Sequence, residues 1–315
     1  MRPVITVTLN PALDLSSSTA SIHPGPKLRC AALRIDPGGG GINVARVVAI
    51  LEGHCRAVVA VGGTTGQELL DQLEALKLQT QRIEINGATR QSFAVTDETT
   101  GEQYRFVMPG PTWDTVTIER ALSRIIEATP DNAIVVLSGS LPPGVPADFP
   151  TRLVSALPNR PVLMDLSGSA LLRLASAPEP MPELLRMDYR EGRTLSGKPL
   201  ETIEETAGFA KLLVEKGAAA SVIIARGADG SVLVTEKGAW HASAAKVEVD
   251  SKIGAGDSFV GAYAFALADG ASPQEALRMG TAAASAAVTT PATELCSRDK
   301  VMELLPLCHI TEVET

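Results

Sequence analysis

Short apolar stretches of strand length alternate along this chain with amphipathic stretches of helix length. The apolar stretches lie at residues 4–9, 57–63, 133–137, 162–166 and 221–225. Patterns such as those at 115–127 and 203–216 place apolar residues on one face of a helix. This alternation predicts parallel strands joined by crossover helices. We therefore predict an α/β protein, a three-layer α/β/α sandwich with a mostly parallel central sheet, in which residues 1–315 form one domain.

The composition fits that class and narrows the function. Hydrophobic residues make up 45% of the 315 residues and aromatic residues only 3%, so the core is expected to be aliphatic. The net charge of −8 argues against nucleic acid as a main partner. No apolar run reaches membrane-spanning length, and the N-terminal residues read as a strand rather than a signal peptide. The cysteines form no C-x-x-C pair, which is typical of reduced thiols in a cytoplasmic protein; they are Cys30, Cys55, Cys296 and Cys308.

A glycine-rich stretch at 250–262, DSKIGAGDSFVGA, stands where a helix is predicted to begin. Glycines let the backbone approach a ligand closely, and the first N–H groups of a helix lack internal partners and attract anions. At the edge of such a cradle, Asp257 could take a proton from an attacking hydroxyl group. The alternative is an Asp N-cap on a glycine-rich turn, and the spacing alone leaves both interpretations open.

A second glycine run precedes another predicted helix near the N-terminus. The four glycines at 38–41 stand directly before an apolar pattern, and Asn43 lies at its beginning. A flexible linker is the alternative, but no serine or proline spacer separates the glycines from the helix. The run therefore indicates close approach of the backbone to another group. Asp14 follows the first strand, where ligands of α/β sheets bind, although the pattern alone favours a turn aspartate.

Together these two stretches resemble the C-terminal and N-terminal signatures of the ribokinase superfamily, in its phosphofructokinase B branch of sugar kinases. The resemblance covers almost the full chain. The runs at 27–30, 38–46 and 101–110 together are similar in particular to the minor 6-phosphofructokinases of bacteria. It implies that Asp257 is the catalytic base. It also implies that Gly254, Ala255 and Gly256 form an anion hole for the transferred phosphate.

The resemblance implies a ribokinase-like fold with a small β-sheet lid, built from segments at about 15–36 and 88–109. It also implies that the lid covers the sugar and forms the contact of a homodimer. The second segment reads as a hairpin, and by pattern alone its arginines are surface charges. The resemblance instead implies that they bind the sugar's phosphate group. The residues implied to bind the sugar phosphate are Asp14, Lys27, Arg29, Gly38, Gly39, Asn43, Arg90, Arg105, Ser138 and Gly139.

The resemblance further implies ATP with Mg²⁺ as the phosphoryl donor, and it leaves the use of K⁺ open. The residues implied to bind the nucleotide are Arg186, Asp188, Arg226, Gly227, Gly230, Gly254 and Gly256. Asp188 and Glu191 are implied to order the metal. Asp188 stands where the family usually has Asn, and Ala225 where it usually has Thr or Ser. The extra carboxylate could strengthen metal binding or weaken ATP binding.

The reaction implied is transfer of the γ-phosphoryl group of Mg-ATP to the 1-hydroxyl of fructose 6-phosphate. Tagatose-6-phosphate kinase and 1-phosphofructokinase share both signatures and remain alternatives within the same class. A non-catalytic sensor of sugar phosphate or nucleotide is the alternative from another class. Only the departures at Asp188 and Ala225 favour it.

Overall fold

The computed structural model describes residues 1–177, 179–291 and 294–314, in which strands alternate with helices. Within these residues the strands are β1 (Val4–Thr8), β2 (Ala12–Thr19), β3 (Arg34–Gly38), β4 (Cys55–Val61), β5 (Gln79–Glu84), β6 (Arg90–Asp97), β7 (Gln103–Val107), β8 (Ile134–Ser138), β9 (Val162–Asp165), β10 (Leu184–Asp188), β11 (Ser221–Ala225), β12 (Ser231–Thr235), β13 (Gly238–Ala242) and β14 (Ile310–Glu312). The α-helices are α1 (Gly40–Ile50), α2 (Gly63–Ala75), α3 (Thr115–Ala128), α4 (Phe149–Ala156), α5 (Gly168–Ala175), α6 (Tyr189–Ser196), α7 (Ile203–Glu215), α8 (Ala255–Ala268), α9 (Pro273–Ala287) and α10 (Arg298–Leu304).

One large sheet runs through the molecule in the order β14-β13-β12-β11-β10-β9-β8-β1-β4-β5. From β11 to β5 every neighbouring pair is parallel, whereas β12, β13 and β14 add an antiparallel edge. Helices cover the parallel strands on both faces, which is why several of these strands are continuous apolar runs in the sequence. The predicted three-layer sandwich with a mostly parallel sheet is confirmed.

The apolar core divides between the two faces of this sheet. On one face, α3, α4, α5 and α7 pack against Ile5 and Val7 of β1 and the strands beside it. On the other face, α1, α8 and α9 pack against Val4 and its neighbours. This alternation along β1 is the strand period of two. Nowhere in the described part of the chain is a helix both long enough and apolar enough to span a bilayer.

A small separate sheet, ordered β3-β2-β6-β7, forms the lid. Strand β2 pairs in parallel with β6 and antiparallel with β3, and β6 with β7 is the predicted hairpin. An irregular segment at 20–33 joins β2 to β3. Asp14 lies inside β2 rather than in a turn after β1, so the turn interpretation is wrong. The sequence hides this strand because half of it is serine and threonine, which the alternating apolar pattern does not mark.

Helices α1 and α8, which follow the two glycine-rich stretches, pack directly against each other. Gly261 of α8 faces Val47 of α1, and a Cβ atom at Gly261 would lie 2.6 Å from the Cβ of Val47. The two helix backbones can come this close because glycine has no side chain. Their first turns are therefore also close enough for side chains to meet.

Candidate active site

Asn43 and Asp257 join the two glycine-rich stretches into one site. Asn43 lies in the first turn of α1, and Asp257 lies in the first turn of α8. The Asn43 Nδ2 group donates a hydrogen bond to Asp257 Oδ2 over 2.8 Å. Two patterns that are far apart in the sequence thus contribute to the same cluster of polar side chains.

The beginning of α8 has the geometry of an anion cradle. Its N-cap is Gly254, in the left-handed conformation with a φ of 76°, and no side chain caps the helix. Asp257 is the third residue inside the helix, so the N-cap interpretation of this aspartate is wrong. The Ser258 N–H is bonded to the Gly254 carbonyl over 2.8 Å, and the N–H groups before it lack helical acceptors. These amides and the helix dipole favour a negatively charged ligand.

The surroundings of Asp257 raise the pKa of its carboxyl group to about 7. Desolvation is the main cause, and the neighbouring Asp165 carboxylate adds to it. The hydrogen bond from Asn43 and the positive charges of Arg186 and Arg46 act in the opposite direction. The outcome is a carboxylate that exchanges its proton near neutral pH, which suits a general base.

The glycine run at the start of α1 allows two polar side chains to approach the backbone. A Cβ atom at Gly38 would overlap the Asp14 carboxylate, and one at Gly40 would overlap the Ser138 hydroxyl. Gly39, the N-cap of α1, has a φ of 126°, which side chains rarely permit. These constraints exclude the flexible-linker interpretation. They also explain why glycine is required along this run, part of which is predicted to bind the sugar.

A cavity opens between the lid and the first turns of α1 and α8. The polar side chains that line it come from β2, β3, α1, β6 and β7, and they are Asp14, Ser16, Asp36, Asn43, Arg46, Ser92, Gln103 and Arg105. Gly254 completes the lining from the α8 side. This cavity brings together Asp14, Asn43, Arg105 and Gly254, as the resemblance implies. It also includes Arg46, Asp36 and Ser92, which the sequence reasoning did not single out.

The two hairpin arginines occupy different environments. Arg90 is partly buried, and it donates hydrogen bonds to Asn10 O over 3.2 Å, to Ser92 Oγ over 3.2 Å and to Met108 O over 3.4 Å. Burial raises the pKa of Asp14 despite the opposing positive charge of Arg90. Arg105 is exposed and lines the cavity. The surface-charge interpretation is therefore wrong for Arg90, which ties β6 to the connection between β1 and β2 through Asn10.

Lys27 and Arg29 lie outside this cavity. Both are exposed on the irregular segment at 20–33, and neither is part of the cavity lining. The segment itself is well anchored, because Thr19 Oγ1 donates to Arg29 O over 3.1 Å and Ile22 N–H donates to Asp97 Oδ2 over 2.7 Å. The structure thus separates these two cations from the arginines of the hairpin.

Asp165 is a central residue of the site that the sequence reasoning left unassigned. It accepts hydrogen bonds from Ser138 Oγ over 2.9 Å and from Arg186 Nη1 over 3.1 Å, and its carbonyl accepts the Gly139 N–H over 3.0 Å. It ends β9 at the carboxyl edge of the parallel sheet, where ligand sites of such sheets form. That position is the signal that could have identified it.

Arg186 approaches the anion cradle at the start of α8. A Cβ atom at Gly256 would lie 3.2 Å from both Nη atoms of Arg186, so the glycine allows this approach. The Arg186 side chain is mostly buried, and its Nε has no hydrogen-bond partner among the described residues. The positive charge held there by Asp165 adds to the preference of the cradle for anions.

Asp188 and Glu191 form a reciprocal capping box at the start of α6. The Glu191 N–H donates to Asp188 Oδ1, and the Asp188 N–H donates to Glu191 Oε2, each over 2.8 Å. Asn also caps helices well, so the departure at Asp188 keeps the cap and adds a charge. Desolvation and the neighbouring Asp188 charge both raise the pKa of Glu191.

Arg226 uses its side chain to hold the loop before α7. Its guanidinium donates to the carbonyl groups of Leu200, Glu201 and Thr202 and to the Thr206 hydroxyl. Only 5% of the side chain is exposed, and its guanidinium is bonded within the protein, so this arginine has a structural role in the loop that precedes α7. The turn that follows requires its glycines: Gly227 and Gly230 have φ values of 63° and 93°.

The donor set near α6 fits a divalent metal bound together with phosphate. In the described part of the chain, no group of three or more His, Cys, Asp or Glu residues could hold a metal alone. Asp188 and Glu191 each use one carboxylate oxygen in the capping box, which leaves oxygens for a hard cation. Magnesium in kinases is usually held by one or two carboxylates and the substrate phosphates, and this arrangement meets that requirement.

The fold and site are those of an α/β protein that binds an anionic ligand: a covered parallel sheet, a helix N-terminus beside the Asp257 carboxylate, and a lidded cavity. Residues 7–300 match the description pfkB family carbohydrate kinase, and the chain belongs to this family. A relative named ATP-dependent 6-phosphofructokinase isozyme 2 from Mycobacterium tuberculosis is 38% identical over 306 residues, 96% of this chain and 89% of the relative. A relative named 1-phosphofructokinase from Bacillus subtilis is 31% identical over 312 residues, 98% of this chain and 100% of the relative.

Solved structures of phosphofructokinase-2 from Escherichia coli share the fold. The crystal structure in complex with potassium has a TM-score of 0.91, and the one in complex with fructose-6-phosphate has a TM-score of 0.89. Each is 36% identical and covers 98% of this chain and 99% of its own. The ribokinase-like fold and membership of a phosphotransferase family that uses ATP and a divalent metal are thereby established.

Proposed function

We propose that this protein transfers the γ-phosphoryl group of ATP to the 1-hydroxyl of fructose 6-phosphate. The observation that carries the proposal is the hydrogen bond between Asn43 and Asp257. It places a carboxylate that titrates near neutral pH between the α8 cradle and a cavity lined by Arg105. The relatives named 6-phosphofructokinase, which match nearly the whole chain, support the choice of sugar phosphate.

In the proposed mechanism, Asp257 accepts the proton of the 1-hydroxyl while that oxygen attacks the γ-phosphorus atom. The phosphoryl group moves along the amides of the α8 cradle, where Gly254, Ala255, Gly256 and the Arg186 guanidinium offset its charge. These groups are held in place before the reaction, so little reorganisation is needed. Transfer leaves ADP as the second product.

The sugar phosphate is proposed to bind between α1 and the lid. Its hydroxyl groups are assigned to Asp14, to the backbone at Gly38 and Gly39, and to Asn43, with Ser138 and Gly139 beside them. Arg90, Arg105, Lys27 and Arg29 are assigned to the 6-phosphate. Since Lys27 and Arg29 lie outside the cavity, they can contribute only if the 20–33 segment of a second subunit, or a movement of the lid, brings them to the site.

Mg²⁺ is the metal that we propose, held by Glu191 and Asp188 through their remaining carboxylate oxygens. When bound, it offsets the negative charge of the nucleotide phosphates. Asp188, Gly227 and Gly230 are assigned to the nucleotide side, together with Arg226, which supports that side from within. We also propose that the protein uses K⁺, because one solved relative is in complex with potassium. Exchange of K⁺ for Na⁺ in the assay tests it.

The chain is further proposed to work in the cytoplasm as a homodimer that joins through the lid. Its apolar side chains on β7 and just after it support this, since Phe106, Val107 and Met108 are exposed. Residues 1–315 are proposed to act as one kinase domain, with the lid as part of it.

Release of ADP by the purified protein with Mg-ATP tests the reaction. The acceptors to compare are fructose 6-phosphate, tagatose 6-phosphate, fructose 1-phosphate, fructose and ribose. We expect the highest kcat/KM with fructose 6-phosphate. A preference for fructose 1-phosphate would instead favour 1-phosphofructokinase, the name of the Bacillus subtilis relative. Calorimetric binding of a sugar phosphate without any ADP release would favour the sensor.

Arg105→Gln tests how the phosphate is recognised. Loss of one charged hydrogen bond is expected to raise KM for fructose 6-phosphate by roughly 10-fold or more, with no effect on unphosphorylated fructose. Arg82→Gln, at an exposed arginine of β5, is the matched control. An equal effect on both acceptors would remove Arg105 from the phosphate site.

A further inference from the structure

Arg46 forms the outer end of a short hydrogen-bonded chain that leads to Asp257. It lies one helical turn after Asn43 on α1, so both side chains extend from the same face. Arg46 Nη1 donates to Asn43 Oδ1 over 3.2 Å, and Asn43 Nδ2 donates to Asp257 Oδ2 over 2.8 Å. The chain therefore runs from a guanidinium, through a carboxamide, to the carboxylate.

The two ends of this chain allow only one orientation of the Asn43 carboxamide. A guanidinium has donors and no acceptor, so it must face the carboxamide oxygen. An ionised carboxylate has acceptors and no donor, so it must face the NH₂ group. Without Arg46, the carboxamide could turn over and present its oxygen to Asp257, which would then favour the protonated carboxyl group.

Arg46 is also one of the few positive charges near Asp257. The charged groups that face this carboxylate are Asp165 from β9, Arg186 from β10 and Arg46 from α1. Arg46 is partly buried and lines the cavity, with Asp36 of β3 as its other acidic neighbour. Burial lowers the pKa of Arg46, but a guanidinium begins so far above neutrality that it stays charged.

We propose that Arg46 is a positioning residue of the phosphoryl-transfer site, which sets the orientation of Asn43 so that its NH₂ group holds Asp257 ionised and aligned. This inference rests on the proposed role of Asp257 as the base. Arg46 acts through Asn43, and the transferred group does not need to touch it. The loss of Arg46 should therefore weaken catalysis more than it weakens ATP binding.

A direct test measures the pKa of Asp257 without any reaction. Protein labelled with ¹³C at the aspartate carboxyl carbons is titrated by NMR, and the Asp257 signal is assigned by its loss in Asp257→Asn. The wild type should titrate near 7. Arg46→Met should raise this pKa by about one unit, because a positive charge and an oriented donor are both removed. Arg82→Met, at an exposed arginine of β5, should leave it unchanged.

A double-mutant cycle tests whether Arg46 acts through Asn43. Arg46→Met should lower kcat by roughly 10- to 100-fold, with the KM for ATP changed by less than about two-fold. Asn43→Ala should lower kcat at least as much, and adding Arg46→Met to it should cost little more. Independent, additive losses would overturn the proposal. So would an unchanged pKa of Asp257 in Arg46→Met.

Arg46→Lys separates the charge from the guanidinium geometry. This variant keeps the positive charge but loses the planar donor. Compared with Arg46→Met, it should therefore recover part of the change in the Asp257 pKa and a smaller part of the lost kcat. If the wild type transferred no phosphoryl group to any acceptor, the proposed function would fail. The NMR titration would still decide whether Arg46 controls Asp257.

Discussion

The carboxylate of Asp257 lies in an environment that disfavours its negative charge. The helix dipole and two arginines favour the ionised form, yet desolvation and Asp165 outweigh them and raise the pKa. The folded protein therefore binds a proton at this position more readily than the unfolded chain does. Between the unfolded value near 4 and the folded value of about 7, this group makes the fold less stable as pH rises.

Asp257→Asn should separate activity from stability. We expect kcat to fall by at least about 100-fold, because the general base is lost. At pH 8 the variant should unfold at a higher temperature than the wild type, because the costly charge is absent. That difference should shrink as pH falls from 8 to 5, where the wild-type carboxyl group becomes protonated. Thermal unfolding at several pH values, with ADP release in parallel, measures both effects.

An inactive variant that is also less stable at pH 8 would indicate misfolding and not the loss of a base. Near-normal turnover would remove Asp257 from the proposed role. The two measurements together therefore distinguish a chemical effect from a structural one.

The contact between α1 and α8 holds the two halves of the site together. Asn43 and Asp257 can meet only because Gly261 lets α8 approach Val47. A Cβ atom there would also lie 3.0 Å from the Val44 carbonyl oxygen, so neither helix can easily make room. The position of the Asp257 carboxylate thus depends on a glycine one full helical turn away.

Gly261→Ala should destabilise the fold by about 1–2 kcal/mol, because overpacking exceeds the gain in helix propensity. It should also lower kcat, since the two helices must separate. Gly208→Ala is the matched control, because it lies within α7 and nothing surrounds its missing Cβ within 4 Å. We expect that change to stabilise the protein by about 0.5–1 kcal/mol. Urea unfolding of both variants checks the signs.

The lid leaves an apolar edge that a monomer would expose to water. Strand β7 is an outer strand of the small sheet, so one side of its backbone has no strand partner among the described residues. Side chains on and just after this strand are also exposed, with values of 39% for Tyr104, 52% for Phe106, 65% for Val107 and 49% for Met108. An exposed strand edge with apolar side chains favours pairing with a second copy.

Phe106→Asp should convert the proposed dimer into a monomer, because a charge would be buried in the contact. Light scattering coupled to gel filtration measures the mass. Val116→Asp is the control, since Val116 is 70% exposed on α3, outside the lid. A wild type that is already monomeric at micromolar concentration would contradict the lid contact. So would a Phe106→Asp variant that remains dimeric.

Much of the fold could be predicted from the sequence. The strands at 134–138 and 221–225 and the helices at 115–128 and 203–215 lie where their patterns indicate, because each is a local signal. The apolar pattern did not reveal strand β2, because its serines interrupt the alternation of apolar and polar residues. Asp165 was left unassigned for a different reason: its position at a strand end is visible in the sequence, but its contacts with Ser138 and Arg186 are not.

The sequence by itself determined the class of fold, the beginnings of α1 and α8 and the residue types required there. These depend on periodicity and on glycine, which act over a few neighbouring residues. Only the tertiary structure decided which polar groups meet. It brought Asn43 to Asp257, held Arg186 against Asp165 and left Lys27 outside the cavity. Such contacts depend on how distant elements pack, and local pattern carries no information about that packing.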